Sequence, residues 1–149
     1  LAMQAARTLG AGAVAIVDFV PERLEIARRL GADVVIDSSR GDPATVLEAA
    51  TGRRTADVVL EAVGIQATID LATALTRPGG SLTLIGNVRQ RIEQDLQGIV
   101  SGELTVRGSS ASAGEYPDCI ERIADARTFV PLDQPARVAQ LVAAFASES

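Results

Sequence analysis

Ala13-Val14-Ala15-Ile16-Val17-Asp18-Phe19-Val20-Pro21-Glu22-Arg23-Leu24-Glu25-Ile26-Ala27-Arg28-Arg29-Leu30-Gly31 holds the pattern that decides the fold. Residues 13–17 form an unbroken apolar run that ends at an acid, as in a strand buried on both faces, and such strands belong to parallel sheets. Pro21 then opens a polar-apolar segment that Gly31 closes, the order of a helix entered through proline and left through glycine. A strand followed at once by a helix is the repeating unit of an α/β domain.

The pattern extends in both directions. Upstream, residues 1–9 read as a helix stopped by Gly10 and Gly12. Downstream, Val34-Val35-Ile36-Asp37 reads as a strand, Gly41-Asp42 as a turn, and residues 43–50 as a helix ended by Gly52. Val58-Val59-Leu60-Glu61 leads to Gly64 and a helix over 65–75. Arg77-Pro78-Gly79-Gly80 is a strong turn signal ahead of the strand Ser81-Leu82-Thr83-Leu84-Ile85. Beyond Gly86-Asn87 come a polar stretch over 89–95, a helix to Val100, a strand over 104–108, and helices near 116–126 and 136–146. No linker, low-complexity tract or tandem repeat interrupts the chain, which is read as one domain over 1–149.

Composition narrows the chemistry. Of 149 residues, 47% are hydrophobic and 22% charged, which suits a folded globular chain. No apolar run approaches the roughly 20 residues of a membrane helix, and no basic leader is present, so the cytoplasm is the expected location. The net charge of −5, without a basic stretch, offers nothing to a nucleic-acid backbone. The chain has no His, no Lys and one Cys, Cys119, which reads as a small apolar residue on a helix face. It therefore lacks the usual Cys/His zinc set, the base of a Ser-His-Asp or Cys-His mechanism, and the amine of a Schiff base.

Asp18 carries the sharpest functional signal. An acid at the carboxyl end of the second strand of such a sheet accepts hydrogen bonds from both hydroxyls of an adenosine ribose and repels a 2′-phosphate, which favours NAD over NADP. The competing reading is that Asp18 merely caps the helix that follows. In the dinucleotide fingerprint the glycines lie about 20 residues before this acid, which places them upstream of Leu1. Residues 1–9 are then the body of the helix whose amino end receives the pyrophosphate. Gly10-Ala11-Gly12 stands after a helix and before a strand, the wrong context for a phosphate cradle.

Ligands of open parallel sheets bind beyond the carboxyl ends of the strands. There the sequence offers Glu61-Ala62-Val63-Gly64, Ile85-Gly86-Asn87 and Gly108-Ser109-Ser110. Each glycine could let the backbone approach a ligand, and each could equally be plain turn chemistry.

Taken together, Leu9-Gly10-Ala11, Val17-Asp18 with Arg23-Leu24 and Ala27, Leu30-Gly31-Ala32-Asp33, Asp57-Val58-Val59 with Glu61 and Gly64, and Arg77-Pro78-Gly79-Gly80 resemble the cofactor domain of the zinc-dependent medium-chain dehydrogenase/reductase family, near its alcohol, sorbitol and threonine dehydrogenases. The resemblance covers residues 1 to about 126. It implies a Rossmann-type doubly wound parallel sheet, lacking here its first strand and glycine loop, in an NAD-dependent enzyme that oxidises an alcohol or polyol. It further implies that Asp18 holds the adenosine ribose with help from Arg23, and that Phe19 lies along the adenine. Val63 and Gly64 would line the middle of the cofactor, with Ile85, Gly86, Asn87 and Ser110 at its nicotinamide end. The zinc of such enzymes polarises the substrate oxygen, and its ligands lie chiefly in another domain, so no catalytic or metal-binding residue is expected here.

Several features depart from the family pattern. The catalytic domain, first strand and glycine loop are not in the sequence, the segment 127–135 is short, and the final strand is lacking, so the chain reads as a fragment. Two other readings compete. One is the zinc-free quinone-reductase branch, which prefers NADPH and is opposed by Asp18; the other is a nucleotide-binding module without chemistry. A methyltransferase sheet also has an acid after its second strand, but its later turns match less well. A homo-dimer or homo-tetramer is the family's habit, with residues 88–95 either at the shared edge or in a solvated loop.

Overall fold

A computed structural model describes residues 2–110 of the chain, so the helices expected near 116–126 and 136–146, and Cys119, lie outside the described residues. Five helices and five strands follow in the order α1 (Ala2–Thr8), β1 (Ala15–Asp18), α2 (Pro21–Arg29), β2 (Val34–Asp37), α3 (Pro43–Thr51), β3 (Ala56–Glu61), α4 (Gln66–Leu75), β4 (Thr76–Leu84), α5 (Leu96–Ser101) and β5 (Thr105–Gly108). Every strand pairing among them is parallel. The α/β class and the alternation of strand and helix are as expected.

Local chemistry explains where the elements begin and end. Proline opens both α2 and α3, where the first turn has no use for its missing N–H. Asp42 caps α3 by accepting from the Ala44 and Thr45 amides and, at 2.7 Å, from the Thr45 hydroxyl. Gly10, at φ +93°, ends α1 as read from the sequence, with the Ala11 amide donating back to Ala6 O at 2.9 Å. The Arg77–Gly80 signal resolves differently from the expectation. It forms no connection between elements but a bulge within β4, because Ala56 pairs with Thr76 while Val58 already pairs with Ser81.

The strands form two sheets, β1–β2 and β3–β4–β5. In a doubly wound sheet one further strand belongs between these two groups. Among the described residues no strand pairing links the two groups, and side chains pack between them. Val34 and Ile36 of β2, Leu47 of α3 and Leu75 of α4 form one buried cluster, with Val17 of β1 and Val59 of β3 packed against it. Helix α2, whose buried Leu24 and Ala27 lie outside that cluster, packs on β1 and β2. The expectation of strands buried on both faces is only partly met among the described residues: Val58 and Leu60 alternate with half-buried Val59 and stay 60% and 42% exposed.

At the amino ends of β1 and β2, the Asp33 carboxylate accepts from the Val14 amide at 2.7 Å and pairs with Arg7, which also donates to the carbonyls of Gly12 and Gly31. These contacts tie α1 to the loops that lead into β1 and β2. The Val14 amide, aided by Arg7, holds the Asp33 carboxyl below its ordinary 3.8, and the Thr45 hydroxyl does the same for Asp42.

Two outcomes follow from this architecture. Both carboxyls have folded values below the unfolded one, so their stabilisation is complete above about pH 4 and fades as the pH falls lower. Asp33→Asn should therefore flatten the acid side of a urea-midpoint profile and lower the midpoint at neutral pH. A polypeptide limited to residues 1–149 exposes the free edges of β1 and β3, and size-exclusion with limited proteolysis should show self-association and ready cleavage. A compact, resistant monomer is the contrary result.

Candidate cofactor site

Asp18 ends β1, and its side chain is held by the turn that leads into α2. Its Oδ1 accepts from the amides of Phe19 at 2.8 Å and Val20 at 3.0 Å, which precede α2. The N-cap itself is Val20, which offers no side-chain cap, so Asp18 fixes the turn and does not cap the first helical amides. Its Oδ2 lies 3.6 Å from Arg23 Nη1. The Asp18 carbonyl accepts from the Ser38 amide at 3.0 Å, anchoring the end of β1 to the end of β2. Phe19 is 67% exposed beside it. A carboxylate with one oxygen held by two amides and the other facing an exposed guanidinium can accept from a diol.

The second group of expected residues gathers at the carboxyl ends of β3 and β4. The amides of Ile85 and Gly86 both donate to the Glu61 carbonyl, at 2.8 and 3.1 Å, and the Arg89 amide donates to Gly64 O at 3.0 Å. The loops touch backbone to backbone. A Cβ on Gly64, whose φ is +82°, would lie 2.3 Å from the Gly86 carbonyl carbon, and one on Gly86 would lie 2.2 Å from that of Val63. Both glycines are thus required by each other, a reason that neither turn chemistry nor ligand approach supplies. Val63 and Ile85 present half-exposed side chains at this junction, and Asn87 is exposed. Ser110 is exposed just beyond β5, where the Ser109 amide donates to Leu84 O at 2.9 Å.

The sequence placed Glu61 at a strand end but gave no role to its side chain, which organises these loops. The Glu61 side chain is 3% exposed and turns back into the β3–α4 loop, accepting from the amides of Val63 and Gly64 and from the Thr68 hydroxyl. An acid at the end of an otherwise apolar strand was the available signal. The polar stretch 88–95 is partly pinned: Gln66 of α4 exchanges two hydrogen bonds with the backbone of Glu93, at 2.7 and 2.8 Å, and Asp95 caps α5 through the Gly98 amide. Among the described residues no cluster of three or more His, Cys, Asp or Glu could hold a metal ion, and no helix is long and apolar enough to cross a membrane.

The glycine contact is open to direct test. Gly86→Ala places a methyl group on neighbouring backbone that has no rotamer to escape into, and should cost about 1–3 kcal/mol by denaturant titration. A neutral substitution would contradict the close approach.

Known proteins are similar to this chain in sequence and in fold. The chain is 33% identical over 125 residues to the sorbitol dehydrogenase of Bacillus subtilis (strain 168), covering 83% of this chain and 35% of that protein. It is 31% identical over 130 residues to the D-xylulose reductase of Saccharomyces cerevisiae, covering 83% and 36%. It superposes on the alcohol dehydrogenase TADH from Thermus sp. ATN1 with a TM-score of 0.75 at 29% identity, covering 97% of this chain and 45% of that one. The chain thus spans about a third of the length of the curated relatives it matches. A family model described as zinc-binding dehydrogenase matches residues 1–125, and with these relatives and this Rossmann-like fold the chain belongs to the zinc-binding dehydrogenase family.

Proposed function

We propose that this chain is the NAD-binding domain of an oxidoreductase that moves a hydride from an alcohol or polyol to NAD. The observation that carries the reading is Asp18, with Oδ1 fixed by two amides and Oδ2 beside Arg23 at the carboxyl end of β1. In this proposal Oδ2 accepts from the adenosine ribose, and its charge opposes a 2′-phosphate. Arg23 stands beside the ribose and Phe19 against the adenine. The loops at the ends of β3, β4 and β5 receive the other half of the dinucleotide, Val63 and Gly64 at its middle and Ile85, Gly86, Asn87 and Ser110 toward the nicotinamide.

When bound, NAD supplies the hydride acceptor; this chain's own residues orient it. The donor set for zinc is not here, since the chain has no His and one Cys, and no step is assigned to a metal within it. We propose that the zinc implied by the family is held by residues outside this chain. The names of the relatives, sorbitol dehydrogenase and D-xylulose reductase among them, support a small alcohol or polyol as the substrate. A cytoplasmic location and a homo-dimer or homo-tetramer complete the proposal.

Fluorescence titration of the intact protein with NADH and NADPH tests the reading. The wild type should favour NADH, and Asp18→Ala should reduce that preference by roughly tenfold or more, as expected for loss of a charge-assisted contact. Equal binding of both nucleotides by the wild type would contradict it.

A further inference from the structure

We infer that Glu61 is the positioning residue for the nicotinamide half of the site, an inference that rests on the dinucleotide reading above. Glu61 is buried, at 3% exposure, and among the described residues its carboxylate meets no cation, only donors of the β3–α4 loop and of the first turn of α4. Oε1 accepts from the Val63 amide at 2.9 Å, the Gly64 amide at 2.8 Å and the Thr68 hydroxyl at 2.7 Å, and Oε2 accepts from the Gly64 amide at 3.0 Å. The same residue's carbonyl accepts from Ile85 and Gly86. One residue therefore sets both loops, the first through its side chain and the second through its backbone.

A buried acceptor of this kind is expensive to keep unless its donors must be held in one arrangement. The arrangement it fixes is the approach of Gly64 to Gly86, so close that a Cβ on Gly64 would lie 2.3 Å from Gly86 C and one on Gly86 2.2 Å from Val63 C. Asp18 lies in the other sheet, at the end of β1, and shares no hydrogen bond with this network. Loosening Glu61 should therefore act on the nicotinamide half of a bound dinucleotide and leave the adenosine half alone.

The experiment compares NADH with ADP-ribose, which keeps the adenosine half and lacks the nicotinamide, on the intact protein. Glu61→Gln keeps size and shape but turns one acceptor into a donor facing Gly64 N–H. It should weaken NADH binding roughly tenfold while leaving ADP-ribose within about twofold. Thr68→Val, which removes one donor, should move the same ratio in the same direction, and Thr68→Ser should restore it. The Thr68 pair decides the matter if Glu61→Gln does not fold. Variants that lower Tm while the NADH to ADP-ribose ratio stays at the wild-type value overturn the positioning role alone. A wild type that binds neither ligand overturns the dinucleotide reading, and the positioning role with it.

Discussion

Among the described residues, a layer of side chains and no ladder of hydrogen bonds joins the two halves of this domain. Val34 and Ile36 from one sheet meet Leu75 of α4 and Leu47 of α3, with Val17 and Val59 flanking them. Apolar contact is non-directional, so such a layer tolerates sliding more readily than a paired strand does. Strong directional contacts are accordingly placed inside each half. Asp18 and Ser38 lock the ends of β1 and β2, whereas Glu61 and the Gly64–Gly86 contact lock the ends of β3 and β4. Each half is cross-linked by hydrogen bonds at the carboxyl ends of its strands.

That division suits a ligand with two ends. A dinucleotide lies across the carboxyl ends of a doubly wound sheet and puts one nucleotide on each half, so the spacing of the halves matters as much as either site. In the proposed reading the adenosine side rests on one carboxylate, Asp18, and its neighbouring arginine, Arg23. The other side depends on backbone groups, whose position is only as good as the loop packing beneath them. A buried glutamate is a reasonable foundation for it, because amide-to-carboxylate bonds are short and strong in a dry site.

Much of this was legible in the sequence. Pro21 and Gly31 bracket α2 closely, Asp42 and Pro43 announce α3, and Asp18 sits at a strand end because an acid stops an apolar run; each is a local effect that a linear reading captures. What escaped depends on register. The close approach of Gly64 and Gly86 follows from pairing β3 with β4, and the bulge at Arg77–Gly80 exists only because Val58 pairs with Ser81. Glu61 was hidden for the same reason: its donors are local, but its burial arises from the packing of α4 on β3 and β4. The exposed faces of Val58 and Leu60 were misread because an apolar run does not say what covers it.

The most direct measurement is a crystal structure of the intact protein with NADH bound. The adenosine ribose hydroxyls should lie within hydrogen-bonding distance of Asp18 Oδ2, with the nicotinamide beside Gly86 and the loop backbone unchanged. A nucleotide bound away from the strand ends, or an Asp18 carboxylate turned from the ribose, would contradict the account.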